Sequence, residues 1–182
     1  MRRPVLLLDV DGVVNALRPA GEWADYVMVE VVGGGVTWPI TYSPTVVRRL
    51  NAIHADGLAE IRWLTTWEDE AASNIAPALG FLDFVVAGVQ VDHRPTGFGE
   101  SWWKWTVAKA YDPERQPLAW VDDDLGFLGY YEALAWARRR PQTLALAPAA
   151  ASGLLADDLD TLETWLKGCW LAGQSGALGE GG

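Results

Sequence analysis

Five short apolar runs recur along the chain, and longer stretches with helical periodicity or high alanine content separate them. The runs lie at about residues 4–9, 61–66, 84–86, 118–122 and 143–146. Near-continuous apolar strands are typical of a parallel sheet that is buried on both faces. Because the strands alternate with helices, the pattern predicts an α/β fold, a five-stranded parallel sheet with helices on both faces.

The segments between the runs predict the helices. Four lie at about residues 44–55, 101–111, 130–139 and 156–167, and a fifth begins near residue 67 and is broken or restarted at Asn74 and Pro77. The first is the clearest, because Ser43 can cap it, Pro44 suits its first position and Gly57 can end it. Gly168 is expected to end the last helix.

Two segments depart from the alternation of strand and helix. Residues 16–43 contain two β-rich runs around a triple glycine, which predicts a β-hairpin at about 27–42. Residues 173–182 are rich in glycine and have little to bury, which predicts a flexible tail. We therefore expect a single domain over residues 1–172.

Acidic residues follow the first strand, where Asp9 and Asp11 flank one apolar residue. Side chains of a strand alternate between faces, so the two carboxylates are expected to leave the strand in the same direction. The two carboxylates repel each other. A fold retains such a pair when a cation lies between the groups, or when one is a nucleophile and the other its acid or base. The carboxyl end of a central strand is where open α/β sheets bind ligands.

Three later segments also place polar residues where that chemistry would need them. Thr65 and Thr66 end the second strand, and three consecutive acids, Asp122, Asp123 and Asp124, follow the fourth. Lys104 lies in a Trp-Trp-Lys-Trp segment and is one of three lysines in the chain.

These four segments, in this order, resemble the motifs of the haloacid dehalogenase (HAD) superfamily, most of whose members are phosphatases. The resemblance covers about residues 4–147 and implies a Rossmann-like core with sheet order 3-2-1-4-5. It implies that the hairpin is a mobile flap over the site. The gaps between the motifs are too short for a large cap domain, so an open cleft is expected, with the hairpin and residues 91–100 as its walls.

The resemblance also implies residue roles. Asp9 would attack phosphorus and form an aspartyl-phosphate, and Asp11 would act as general acid and then as general base. Thr65 would donate a hydrogen bond to the phosphate, with Thr66 as the alternative, and Lys104 would neutralise charge, with Lys109 as the alternative. Further substrate contacts are expected from residues beside these motifs: Thr66, Gly12 and Trp67.

A Mg²⁺ ion is the implied cofactor, because it prefers oxygen ligands. Its ligands would be Asp9, the backbone carbonyl of Asp11 and a carboxylate that follows the fourth strand. Asp123 is favoured for that position over Asp122. Asp124 is expected to face solvent or to cap the next turn.

Composition limits the kinds of partner that the protein is expected to bind. The formal charge of −10 argues against an extended nucleic-acid surface but not against one small phosphorylated ligand near a bound cation. No apolar run is long enough for a membrane span, and a single cysteine, Cys169, fits a cytoplasmic protein. Most of the 11 tryptophans are expected in the core, with one or two facing substrate. His93 is a further candidate contact.

A finer resemblance concerns the Thr-Thr-Trp, Trp-Trp-Lys and Asp-Asp-Asp segments, which look like those of small HAD domains in bacterial RNA-repair proteins. The expected function is a Mg²⁺-dependent phosphohydrolase, with phosphorylated nucleic-acid ends or nucleotides as candidate substrates. The alternatives are a phosphate-binding or regulatory module without turnover, and hydrolysis of carbon–halogen bonds. Asp11 argues against the latter, because dehalogenases need no general acid.

Overall fold

A five-stranded parallel sheet forms the centre of the molecule. The computed structural model describes residues 2–90, 102–111 and 116–177, the last five of these as backbone alone. The strands of the sheet are β1 (Val5–Leu8), β4 (Glu60–Trp63), β5 (Val85–Val86), β6 (Leu118–Val121) and β7 (Thr143–Leu146). Their order is β5-β4-β1-β6-β7, which is the predicted order 3-2-1-4-5 when the five strands are numbered within the sheet.

Helices cover both faces of the sheet, as predicted. On one face α1 (Pro44–Ala55) and α5 (Ala156–Ala177) pack against Leu6 and Leu8. On the other face α3 (Trp103–Ala110) and α4 (Tyr131–Arg138) pack against Val5 and Leu7. Every residue of β1 and β6 is buried, because both strands lie between two neighbours and two helical layers.

The predicted hairpin consists of β2 (Val27–Gly33) and β3 (Val36–Tyr42). Gly33 pairs with Val36, so the turn consists of Gly34 and Gly35, both with positive φ, 58° and 77°. Two left-handed residues give the tight turn that matches strand twist, and glycine adopts this conformation without a steric penalty.

Two helices differ from the expectation. The segment after β4 forms a π-helical turn, Ala71–Ile75, that continues directly into the single turn α2 (Ala76–Leu79). α5 does not end at Gly168 but continues to Ala177. Gly168 is not among the glycines with positive φ, so it lies within the helix instead of terminating it.

Several predicted features lie at the limits of the described residues. The helix backbone includes the first five residues of the segment predicted to be a flexible tail, and residues 178–182 lie outside the description. The loop at 91–100, with His93, lies outside it as well, as does the predicted start of the lysine helix at Ser101. None of the helices in the described part of the chain combines the length and the apolar composition that crossing a membrane requires.

Candidate active site

The carboxyl ends of β1, β4 and β6 bring the polar motif residues to one edge of the sheet. Leu8 pairs with Trp63 on one side and with Val121 on the other, so the residues that follow these positions emerge level with one another. They include Asp9, Thr65 and Asp122, all of which are buried. The register of three parallel strands thus assembles side chains that are distant in sequence.

Lys104 enters this group from the first turn of α3. Its side chain is 2% exposed, and its Nζ donates hydrogen bonds to Asp9 Oδ2 at 2.6 Å and to Asp122 Oδ2 at 3.0 Å. Burial alone would lower the pKa of Lys104, but the carboxylates of Asp122 and Asp9 outweigh burial and raise the pKa above its ordinary value. Lys109, the alternative, lies over the ring of Trp105 at 4.4 Å instead.

Three carboxylates are clustered here around one ammonium group. Side-chain oxygens of Asp9, Asp122 and Asp123 lie within 4.8 Å of one another. Burial and the nearby carboxylates of Asp9 and Asp124 raise the pKa of Asp123 to about 6, and complete burial raises the pKa of Asp122. One lysine does not balance three carboxylates, and a set of hard oxygen donors at this spacing fits a Mg²⁺ ion.

The acids after β6 begin a short 3₁₀ helix, Asp123–Gly126. Asp122 caps it, because its Oδ1 accepts a hydrogen bond from the backbone N–H of Asp124 at 3.1 Å. The residue that caps this helix is therefore Asp122 and not Asp124. Asp124 is half-buried, and its backbone N–H donates to the capping side chain.

The carboxylate of Asp11 is not one of the three clustered carboxylates, contrary to the expectation from strand alternation. Its Oδ1 accepts from Asn15 Nδ2 at 2.7 Å, and its Oδ2 accepts from the indole N–H of Trp67 at 2.9 Å. The reason is that β1 ends at Leu8 and the backbone then turns, with three successive N–H groups directed at the carbonyl of Val10. The alternation of faces holds only while the chain remains a strand.

Asn15 is a site residue that the sequence reasoning missed. It is buried, and its Oδ1 accepts from the backbone N–H of Thr41 at 2.9 Å while its amide binds Asp11. It therefore connects Asp11 to the flap. The available signal was a single amide in an otherwise apolar stretch, because a buried amide needs hydrogen-bond partners.

The two threonines that follow β4 differ in their surroundings. Thr65 is buried, and its Oγ1 accepts a hydrogen bond of 3.4 Å from the backbone N–H of Trp67, which leaves the hydroxyl proton available for donation. Thr66 is exposed and lines the cavity below the flap. Trp67 lines the same cavity.

Gly12 lies against the acidic cluster. Its φ is +72°, and a Cβ atom placed on it would lie 2.3 Å from Cγ of Asp123. Gly12 was predicted to contact substrate, but in the structure its neighbour is a candidate metal ligand. The absence of a side chain lets the loop after β1 pass next to Asp123.

Gly12→Ala is expected to lower the free energy of unfolding by more than Gly57→Ala does. Gly57 has nearly the same φ, +73°, but a Cβ atom there would meet nothing within 4 Å. Both variants incur the left-handed backbone penalty of about 1–2 kcal/mol, and Gly12→Ala adds the clash with Asp123. Urea unfolding in EDTA measures both. Equal losses would show that the approach of Gly12 to Asp123 has no energetic consequence.

The flap lines a cavity of about 830 Å³. Both carboxylate oxygens of Glu70 accept from the backbone N–H of Gly34, at 3.0 and 2.9 Å, and Asn74 Nδ2 donates to the carbonyl of Val32 at 2.8 Å. These contacts hold the tip of the flap against the π-helical turn. Asp11 lines the cavity, whereas Asp9 does not.

Some tryptophans lie in the core and others line the cavity. Trp102 and Trp105, which neighbour Lys104 in sequence, are buried in the core together with Trp63 and Trp120. Trp67 and Trp38 line the cavity, and Trp38 was not among the candidates that sequence proximity to the motifs indicated.

Comparison with known protein families agrees with this arrangement. Residues 5–159 match the family described as the HAD domain in Swiss Army Knife RNA repair proteins. The chain belongs to this family. The match confirms the HAD-type core and the resemblance to HAD domains of RNA-repair proteins, and the general functional class is a HAD-type hydrolase. No curated protein and no solved structure matches this HAD domain.

Proposed function

We propose that the protein is a Mg²⁺-dependent phosphohydrolase that works through an aspartyl-phosphate. The observation that carries this proposal is the buried ammonium of Lys104, held between Asp9 and Asp122 at the carboxyl ends of adjacent strands. A buried ion pair of this kind positions a carboxylate nucleophile and compensates its charge. A binding module without turnover would need neither the nucleophile nor an acid next to it.

In the first step the carboxylate of Asp9 attacks phosphorus, and the bond from phosphorus to the leaving oxygen breaks. Asp11 transfers its proton to that oxygen. The hydroxyl of Thr65 donates a hydrogen bond to a phosphate oxygen, and Lys104 offsets the negative charge shared by Asp9 and the phosphate. Phosphoryl transfer depends mainly on this positioning and charge neutralisation.

In the second step Asp11, now a carboxylate, takes a proton from water. The water oxygen forms a bond to phosphorus as the acyl-phosphate bond to Asp9 breaks, so inorganic phosphate leaves and Asp9 regains its charge. Asn15 and Trp67 occupy one acceptor site on each oxygen of Asp11. Each oxygen retains a second lone pair for the proton, so Asp11 can serve in both steps without reorienting.

Asp9 and Asp123, with the backbone carbonyl of Asp11, would hold the Mg²⁺ ion, and Asp122 lies close enough to contribute. When bound, the ion neutralises charge on the transferring phosphoryl group. Asp122 already accepts hydrogen bonds from Lys104 and from the backbone N–H of Asp124. This favours Asp123 as the carboxylate ligand.

Mg²⁺ is expected to bind once per chain, and Asp123→Asn is expected to weaken its binding by about tenfold or more, since one charged ligand is lost. Asp124→Asn is the matched control, because it removes a neighbouring charge that is not among the three clustered carboxylates. Isothermal titration calorimetry measures both affinities. Absence of saturable binding, together with turnover that EDTA leaves unchanged, would remove the metal from the proposal.

We expect an open cleft, which favours substrates with a phosphate at one end, such as phosphorylated nucleic-acid ends or nucleotides. Among the described residues, the flap lines the cavity at Asp11, and the chain between β4 and α3 forms the π-helical turn, α2 and β5. The described residues include no cap domain, and a site without one cannot select a small molecule by enclosing it. The net negative charge favours contact near the phosphorylated terminus over contact along a polyanionic backbone.

The decisive test is a phosphatase screen with and without Mg²⁺. The substrates are nucleotides, sugar phosphates and oligonucleotides phosphorylated at the 3′ or the 5′ end, and Asp9→Asn protein prepared in parallel controls for contaminating phosphatases. Release of phosphate by the wild type alone supports the proposal. Hydrolysis of a free sugar phosphate at least about tenfold faster than of any phosphorylated polymer would contradict the open-cleft argument.

A further inference from the structure

The flap cavity lies on the side of the site where a leaving group must be. Asp11, the proposed acid, lines the cavity, and Asp9, the proposed nucleophile, does not. A general acid has to lie within hydrogen-bond reach of the oxygen that it protonates. The group attached to that oxygen therefore extends from Asp11 into the cavity.

We propose that this cavity binds a nucleoside as the leaving group, with the planar base against Trp38, and that Trp38 determines substrate specificity. The inference rests on the proposed phosphohydrolase function and adds the chemistry of the group that is recognised. The volume of about 830 Å³ is within the range of about 300–1,000 Å³ found for small-molecule sites.

Aromatic and apolar groups dominate the flap side of the cavity. Trp38 is 49% exposed and Met28 is 65% exposed, although both are large and apolar. Exposed apolar side chains grouped around a concave surface are typical of a ligand site. Indole rings stack on nucleobases without sequence preference, and a thioether packs well against an aromatic ring.

Both indoles in the cavity are fixed through their nitrogen atoms. Trp38 Nε1 donates to the carbonyl of Gly33 at 3.1 Å, and Trp67 Nε1 donates to Asp11 Oδ2 at 2.9 Å. The flap passes so close to Trp67 that a Cβ atom on Gly33 would lie 2.2 Å from Cζ3 of that ring. The rings are thus held in place before a ligand arrives, which reduces the entropy lost on binding.

The charge of the cavity disfavours a phosphate group inside it. Among the described residues that line it, the charged ones are Asp11 and Glu70, both acidic, and none is Lys, Arg or His. Both carboxylates already accept hydrogen bonds from the protein. A second phosphate in the cavity would therefore be repelled, while an uncharged base and sugar would not.

The kinetic test compares adenosine 5′-monophosphate with ribose 5-phosphate, which carries the phosphate on the same carbon but lacks the base. In the wild type we expect kcat/KM to be at least about tenfold higher for the nucleotide, the effect of one stacked base. Trp38→Ala is expected to remove that preference through KM, and Trp38→Phe to retain most of it. Ribose 5-phosphate should lose less activity than the nucleotide in either variant.

Trp170→Ala is the matched control, because Trp170 is equally exposed at 49% but lies on α5. It should leave both substrates unchanged. Equal kcat/KM for the two substrates in the wild type, or an equal loss for both in Trp38→Ala, would overturn the inference. The second result would mean that Trp38 supports the flap and does not recognise the base.

A binding measurement separates this inference from the proposed function. Titration calorimetry of adenosine 5′-monophosphate and ribose 5-phosphate against Asp9→Asn protein needs no turnover. Tighter binding of the nucleotide, weakened about tenfold by Trp38→Ala, would support the cavity even if no phosphate were released by the wild type. Turnover of sugar phosphates without any preference for the nucleotide in binding would retain the phosphohydrolase and refute the base site.

Discussion

Asp9→Asn is expected to abolish turnover while the protein remains folded. The amide is nearly the same size as the carboxylate and can still accept a hydrogen bond from Lys104, but it cannot form the acyl-phosphate. Removing a member of a catalytic set lowers kcat by about 10⁴- to 10⁶-fold in well-studied hydrolases. Steady-state kinetics on the best substrate of the screen measure the loss, and circular dichroism with urea unfolding measures the fold.

Asp11→Asn tests the role of the general acid and is compared with Asp9→Asn. It should slow both steps and make the rate depend more steeply on the leaving group, because the leaving oxygen departs without a proton. Acid quenching with ³²P-labelled substrate should therefore trap phosphoenzyme in the wild type and in Asp11→Asn, but not in Asp9→Asn. Rates close to wild type in Asp9→Asn would exclude the covalent mechanism.

The sheet and the position of the site could be predicted because both depend on local patterns. Apolar runs that end in polar residues identify strands and their carboxyl ends, and parallel pairing then places those ends at one edge. Leu8 is in register with Trp63 and Val121. Asp9 and Asp122 directly follow Leu8 and Val121, and Thr65 lies two residues after Trp63. Lys104 lies on a helix and not at a strand end, so its place in the site could be predicted only through the family resemblance.

The direction of individual side chains could not be predicted in the same way. Asp11 is turned by Asn15 and by Trp67, a residue 56 positions away in sequence, and no rule based on strand periodicity contains that contact. Glu70 shows the same dependence on a tertiary neighbour, because its carboxylate accepts a hydrogen bond from Gly34 of the flap, 36 positions away in sequence. α5 continues past Gly168 because a glycine ends a helix only when its backbone becomes left-handed.

Lys104→Met is expected to be the most destabilising of the substitutions considered. Methionine resembles the lysine side chain in length and flexibility but lacks its charge, so Asp9 and Asp122 would remain buried near each other without a cation. Breaking a buried ion pair by removing one partner costs about 3–5 kcal/mol. Urea unfolding in EDTA measures the loss without a contribution from bound metal, and turnover in Mg²⁺ should be lost as well.

Lys109→Met is the matched control, because it lies on the same helix and is exposed. Its ammonium lies 4.4 Å from the Trp105 ring centroid, so its loss should cost about 1 kcal/mol or less. If repulsion between the two carboxylates causes the instability, adding Asp122→Asn to Lys104→Met should restore part of the free energy of unfolding but none of the activity. Equal stability of Lys104→Met and Lys109→Met would mean that the ion pair at the strand ends contributes nothing to the fold, and the repulsion argument for a bound cation would lose its basis.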